Sequence, residues 1–571
     1  MTGFGDSPSI NDLGNIAFVG KSGFATDLLV DNGLGHITNL SVPYPNIFSK
    51  ALQINNQNKV VARDSSGGGS AIRVWDFNSS TNYEVVATGS YPADFYDFEN
   101  ILPFPSLNNN GQAIFLADPK GFGNTALETL SGTNIFGKRT YNEAIPATGV
   151  LQPMIADNGV SVVRDPISKI VIQDYQLNIT GVIASNVSGF SNVGLSPGIS
   201  DDGKVVTFYG NLTSPGASTS TVGLDPGEGI FASIDTGSER KIIRIAGIAG
   251  NGILDPGETF NDADEDGQVD TGEDIGKISG FAKDAGGNYV DRVGVSYNKS
   301  SDGGNSLGTV AYLALNESGQ ETLFTNQFRE LSSNNIVTVE QPYTVAEVGS
   351  QANVLSSELT GTIQDLNIYD PLNSKGQVAF WLKTSTAQEG IVKTKIPLKP
   401  ILIVPGIVGS LPANGDMDEW LTNRGFAPDK LQPEKISNIY DDLVETLKRA
   451  GYEEGVNLFV ATYDWRLNPA PIDGTIDGVI NRSVEDLTDD KYEYSVDQFA
   501  FWLQKATEGW KSQFPNLPSN QIPELDSVDV IAHSAGGATV ILNNFRYAIN
   551  ETRRSQKNRK NNVRGTKNRN Y

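Results

Sequence analysis

The chain has 571 residues, too many for one hydrophobic core, and that length predicts about two to four domains. Hydrophobic residues at 38% with 9% aromatics suffice to pack them, and 60 glycines favour turn-rich β architecture over helix bundles. A net charge of -24 sets the chain against nucleic acid and anionic membrane surfaces as partners, zero cysteines exclude disulfides and thiolate metal sites, and no apolar run reaches transmembrane length.

Met1 to Asp6 show neither a basic nor an apolar leader pattern, so no export signal is visible at this end. From there to about residue 397 one pattern recurs: a polar turn holding Asn and Gly, then a short apolar, β-branched strand. It starts at residues 11, 55, 108, 156 and 200, at intervals of 44, 53, 48 and 44, and again at Asn373. Phe281 to Tyr297 is the better candidate for a seventh, degenerate copy, and Asn316 to Gly319 the weaker. Periods of about 40 to 50 residues are those of propeller blades, small antiparallel sheets that cannot bury both faces alone and so stack radially. Residues 1–397 are therefore expected to form an all-β propeller of about seven blades. The pattern resembles the NxxGxxAF tandem repeats of bacterial surface and secreted proteins. That resemblance implies a secreted or cell-surface location and a surface-protein or glycan partner for the propeller.

Within this array an insertion at about 247–275 contains Asp262-Ala-Asp264-Glu-Asp266-Gly267-Gln268-Val-Asp270-Thr-Gly-Glu273. Asp262, Asp264 and Asp266 supply hard oxygens, Gly267 permits the bend, Gln268 offers its carbonyl, Asp270 acts through water, and Glu273 closes the loop bidentately. So many carboxylates this close repel one another without a cation, and the spacing predicts one structural Ca2+. A half-copy with Asn251, Gly252, Asp255 and Glu258 has Gly247 and Ala249 where its first ligands belong. No long helices flank the loop, so its expected role is to rigidify, not to switch.

From 398 the grammar changes to alternating strand and helix. Ile401 to Val404 reads as a buried strand ending in the turn Pro405-Gly-Ile-Val-Gly-Ser410, Tyr440 to Ala450 as a helix, Leu458 to Tyr463 as a strand, and Asp497 to Phe514 as an aromatic-rich amphipathic helix. Val528 to Gly537 then reads as strand, sharp turn and helix, with Ser534 at the tip of a nucleophile elbow. Ala532 stands where the usual G-x-S-x-G pattern has its first glycine. The alternation implies a mostly parallel sheet covered on both faces.

Three motifs together, Pro405-Gly-Ile-Val-Gly-Ser410, Gly451-Tyr452 followed by Tyr463-Asp-Trp-Arg466, and Ala532-His-Ser-Ala-Gly536, resemble the lecithin:cholesterol acyltransferase family of α/β-hydrolases over about residues 400–548. The resemblance implies a lipid-acting O-acyltransferase or lipase with an acyl-ester or lipid substrate. It implies Ser534 as nucleophile, the amides of Ile407 and Ala535 as oxyanion donors, and a cap beginning at Tyr463 to Arg466. A strand end capped by a packed tryptophan is the plainer account of that last motif. In this fold an acid and a histidine follow the serine, but 37 residues follow Ser534 and none is histidine; the chain's two are His36 and His533. The basic, low-complexity stretch 549–571, read otherwise as a nucleic-acid arm, fits best a truncated or frame-shifted reading of a longer enzyme gene, leaving residues 398–548 as the N-terminal part of a hydrolase domain. The competing class is a non-catalytic, calcium-binding propeller that binds surface molecules and carries a vestigial hydrolase segment.

Overall fold

The computed structural model describes residues 3–540 except 24, 33–35, 41–46, 65–69, 80, 88–97, 103, 120–125, 132–133, 141–151, 166–168, 175, 222–223, 238, 249–258, 261–273, 276, 286, 290, 299–305, 332–335, 340–341, 435–438, 450–451, 469–493, 515–521, 523–524, 526–527 and 538. The chain divides into two compact units, Met1–Ile396 and Pro397–Tyr571. The calcium loop, its half-copy 251–258 and the basic stretch 549–571 lie outside the described residues.

In the first unit the turns that begin with Asn11, Asn55, Asn108 and Asn373 close in the same way. The Asn11 side-chain oxygen accepts the amides of Leu13 at 3.1 Å and Asn15 at 3.0 Å, while Gly14 N–H donates to the Asn11 carbonyl at 2.9 Å. This geometry demands a left-handed fourth residue, which is Gly14 (φ 88°), Gly111 (φ 76°), Gly159 (φ 79°), Gly203 (φ 76°) or Gly376 (φ 69°), and in one copy Asn58 (φ 62°). The strands that follow, Ile16–Ser22, Lys59–Asp64, Gln112–Pro119, Ser161–Asp165, Val205–Leu212 and Gln377–Thr384, are apolar and largely buried.

These strands seed antiparallel sheets drawn from residues 3–39, 47–87, 98–140, 154–184, 190–247, 278–347 and 363–395. Six of the seven have four to six strands and form the blades of a β-propeller; the last, Ile363–Asn367 with Gln377–Thr384 and Glu389–Lys395, has three. The expectation of seven blades is thus corrected to six, with a narrower sheet completing the ring. Counting turns misleads because the same turn also closes plain hairpins at 174–178, 284–288 and 316–320. Between adjacent sheets lie separate apolar clusters: Ala17, Val30, Ile54 and Trp75 join the first two, and Ile16, Phe18 and Ala379 join the last to the first.

At the axis the turns bond to one another. The Asn11 side-chain amide donates to the carbonyl of Asn55, Asn55 to that of Asn108, Asn108 to that of Ala156, and Asn373 to that of Asn11, each at 2.9 Å. The next residue along each turn repeats the link in the same direction, with backbone as donor and side chain as acceptor. Asp12 N–H reaches the Asn56 side chain at 2.7 Å, Asn56 N–H that of Asn109 at 2.6 Å, Asn109 N–H that of Asp157 at 2.7 Å, and Ser374 N–H that of Asp12 at 2.6 Å.

The ring surrounds an axial cavity of about 40 Å³, whose lining includes Asp12, Asn56, Asn109, Asp157, Asp201 and Asp370. Asp201 is exposed as a residue, but partial dehydration of its carboxyl at the cavity wall and then the charges of Asp12, Asp157 and Asp370 push it up to about 7, against one hydrogen bond from Asn56 at 3.3 Å. Dehydration likewise raises Asp370 to about 6 and Asp291 to about 7. Each of these carboxyls is harder to ionise folded than unfolded. Their contribution to stability is therefore complete below the ordinary carboxylate range and is lost as pH rises through about 6 to 7. The first unit should melt at a higher temperature at pH 5 than at pH 8. Asp201→Asn should raise the midpoint at pH 8 and flatten the profile; calorimetry finding the same slope in both proteins would refute the assignment.

Candidate active site

Among the described residues the second unit is built on three parallel strands in the order Leu458–Val460, Ile401–Val404, Asp529–Ala532, with Ile401 level with Leu458 and Asp529. Ile401–Val404 is buried throughout, as a central strand of a two-sided sheet must be. Helix Ile439–Arg449 packs Tyr440 and Val444 on one face, against Ile401, Ile403 and Leu458. Helix Ser495–Ser512 packs Phe499 and Ala506 on the other, against Leu402, Val404 and Phe459.

Strand Asp529–Ala532 ends at His533, whose N–H donates to the Val404 carbonyl at 2.9 Å, and a helical turn begins at Ala535. Between them Ser534 is exposed and left-handed at φ 53°, a conformation a non-glycine residue keeps only where its surroundings enforce it. Two glycines make the enforcement sterically feasible. A Cβ at Gly536 would stand 2.5 Å from the Pro405 carbonyl oxygen, and one at Gly406 would stand 3.0 Å from Ser534 Cβ and from His533 Nδ1.

The turn after Ile401–Val404 therefore lies directly against the elbow. It carries its own strain, since Val408 is β-branched yet has φ 64°. Ile407 and Val408 are 59% and 52% exposed, an apolar rim beside the serine. Among the described residues the amides of Ile407 and Ala535 have no hydrogen-bond acceptor. Ser534, Ile407 and Ala535 thus fall on two adjoining turns. The proposed calcium ligands Asp262, Asp264, Asp266, Gln268, Asp270 and Glu273 lie outside the described residues.

One contributor escaped the sequence reading. The Tyr440 hydroxyl accepts the Gly406 N–H at 3.1 Å and stands 3.1 Å from His533 Nδ1, a contact in which the hydroxyl is the donor when the imidazole is the Nε2–H tautomer and the acceptor when it is the Nδ1–H tautomer. A tyrosine in the first turn of an amphipathic helix is an ordinary core residue by pattern, and nothing in its spacing marks it out. His36 is exposed in the first unit.

Residues Tyr463 to Arg466 are engaged within the unit. Asp464, fully buried, takes the Arg466 guanidinium on both oxygens at 2.6 Å and the Gly425 N–H at 2.9 Å. The guanidinium also donates to the Trp420 carbonyl and lies 3.4 Å from the centre of the Trp420 ring. Trp465 Nε1 donates to the Ser410 carbonyl at 3.1 Å, and Tyr463 N–H to the Ser410 hydroxyl at 3.2 Å. The motif thereby pins the Pro405 to Ser410 turn from the side opposite the elbow strand's own contact.

Residues 422–474, which include this motif, match the lecithin:cholesterol acyltransferase family. No curated protein matches the chain. Among solved structures it is similar to the β-propeller domain of the trilobed protease from Pyrococcus furiosus, at 12% identity over 68% of this chain and 93% of that one, with a TM-score of 0.35. It is similar also to oligogalacturonate lyase from Vibrio parahaemolyticus, at 8% identity over 69% and 90%, with a TM-score of 0.36.

Removing one partner of a buried bidentate pair strands the other's charge, which costs about 3 kcal/mol or more. Asp464→Asn should therefore unfold the second unit at lower urea by an amount corresponding to about 3 kcal/mol. An unchanged midpoint for that unit, followed by tryptophan fluorescence, would show the pair to be dispensable.

Proposed function

We propose that residues 397–571 carry the nucleophile and oxyanion elements of a site for acyl esters, of the lipase or O-acyltransferase kind, on an α/β-hydrolase sheet. The observation that carries the reading is Ser534 held at φ 53° on a strand-to-helix turn, against a second turn whose Ile407 amide has no acceptor among the described residues. In such a site the serine oxygen bonds to the ester carbonyl carbon. The carbonyl electron pair moves onto its oxygen, where the Ile407 and Ala535 amides receive the charge. The exposed apolar pair Ile407 and Val408 suits an acyl chain, and the similarity of residues 422–474 to the acyltransferase family supports a lipid substrate.

The hydroxyl proton needs an acceptor. His533 has Nδ1 engaged by Tyr440, and no histidine follows Ser534 in the sequence. A serine without its base falls back on binding and the oxyanion donors, which elsewhere leave roughly 10³ to 10⁴ over the uncatalysed rate. Residues 1–571 should hydrolyse a p-nitrophenyl ester at about that residual level, and Ser534→Ala should change it by less than about twofold. Robust turnover abolished by Ser534→Ala would reveal a base elsewhere and correct the proposal.

For the first unit the loop 262–273 is proposed to bind one calcium ion, on the spacing of its six oxygen ligands. Titration calorimetry should give a dissociation constant of about 10⁻⁴ M that Asp264→Ala abolishes. Heat indifferent to that substitution would rule the site out.

A further inference from the structure

The two amides assigned to the oxyanion belong to different segments, far apart in the sequence. Backbone packing brings their turns together, but an oxyanion site needs its donors held in a fixed mutual position before the charge develops. Among the described residues the Tyr440 hydroxyl is the one side-chain group that contacts both turns. It takes the N–H of Gly406, the residue before Ile407, and meets the ring of His533, two residues before Ala535, both at 3.1 Å. Its ring is 5% exposed and is clamped among Leu398, Ile403 and Val444 on a regular helix. The tyrosine and imidazole rings meet edge to face at 6.3 Å. A Cβ at Gly409 would stand 3.0 Å from the same hydroxyl, so the turn wraps around it.

We propose that Tyr440 is a positioning residue for acyl transfer: its hydroxyl, bonded to Gly406 N–H and His533 Nδ1, fixes the turn bearing the Ile407 amide against the turn bearing the Ala535 amide. This rests on the acyl-ester reading above. Tyr440 touches no reacting atom. It acts by making one rigid donor pair from two separately tethered turns, and it gives the histidine beside Ser534 a role as an anchor in place of a base. With the Tyr440 hydroxyl as donor, the same arrangement would hold His533 as its Nε2–H tautomer, with Nδ1 satisfied.

The test uses the full chain and two readouts. With only two histidines present, 15N-histidine labelling gives two ring systems, and His36→Gln identifies the His533 signals. Tyr440→Phe should move the His533 Nδ1 resonance away from that of a hydrogen-bonded acceptor. It should also lower the residual kcat on the p-nitrophenyl ester roughly tenfold with KM within about twofold, because only transition-state donors are disturbed. His533→Ala removes the other end of the bridge and should lower kcat by a similar factor, with the double variant no slower than either single one. An unmoved His533 signal refutes the bridge. A moved signal with unchanged kcat, or additive losses in the double variant, refutes the positioning role while the acyl-ester reading stands. A wild-type rate no higher than that of buffer overturns that reading and the proposal with it.

Discussion

The first unit depends on an arc of asparagine side chains at its axis. Each such residue spends its oxygen on its own turn and its amide nitrogen on the carbonyl of the neighbouring turn, so one side chain both shapes a blade's inner corner and fixes the next blade's position. Apolar clusters between the sheets supply most of the burial, but burial is indifferent to small slides and rotations. Directional bonds at 2.9 Å are not, and at the axis such a bond joins four successive pairs of turns. The cost is a crowded axis of carboxylates, visible in the raised Asp201 and Asp370.

Much of this was legible in the sequence because turn chemistry is local. Asn at the first position and Gly at the fourth announce a left-handed residue whatever surrounds them, and the β-branched run that follows can hardly be anything but a strand. The blade number was not legible for the same reason. A turn that depends only on four or five residues also serves at 174–178 and 316–320, where it closes a hairpin inside one sheet. Whether the sheet at 363–395 gathers three strands or four is decided by long-range pairing, about which the turn is silent.

In the second unit the elbow was legible for its small residues, and the Pro405 to Ser410 turn for its glycines. Those glycines mark close approach without saying to what. Only the fold shows that Gly406 faces Ser534 Cβ and His533, and Gly409 the Tyr440 hydroxyl. Tyr463 to Arg466 stood out by its composition, yet its contacts with Trp420, Gly425 and Gln498 join segments that no spacing rule connects. Both turns that flank the serine are braced by side chains from elsewhere, so the geometry of the site belongs to the unit and not to its motifs.

The bond from Asn373 to Asn11 spans 362 residues, as does the one from Ser374 to Asp12, and Phe4 N–H meets Glu389 across 385. Each of the six blades can form from its own hairpins as the chain emerges, but the circle has no covalent seam. Until the segment around residue 373 has been synthesised, the first blade presents an unpartnered flank of Ile16, Phe18 and Leu29. At ordinary translation rates that interval lasts roughly tens of seconds. The nascent chain is therefore most exposed to misassembly at its own beginning, and the closing contact, with its very high contact order, is the step that turns a row of independent hairpins into one cooperative body.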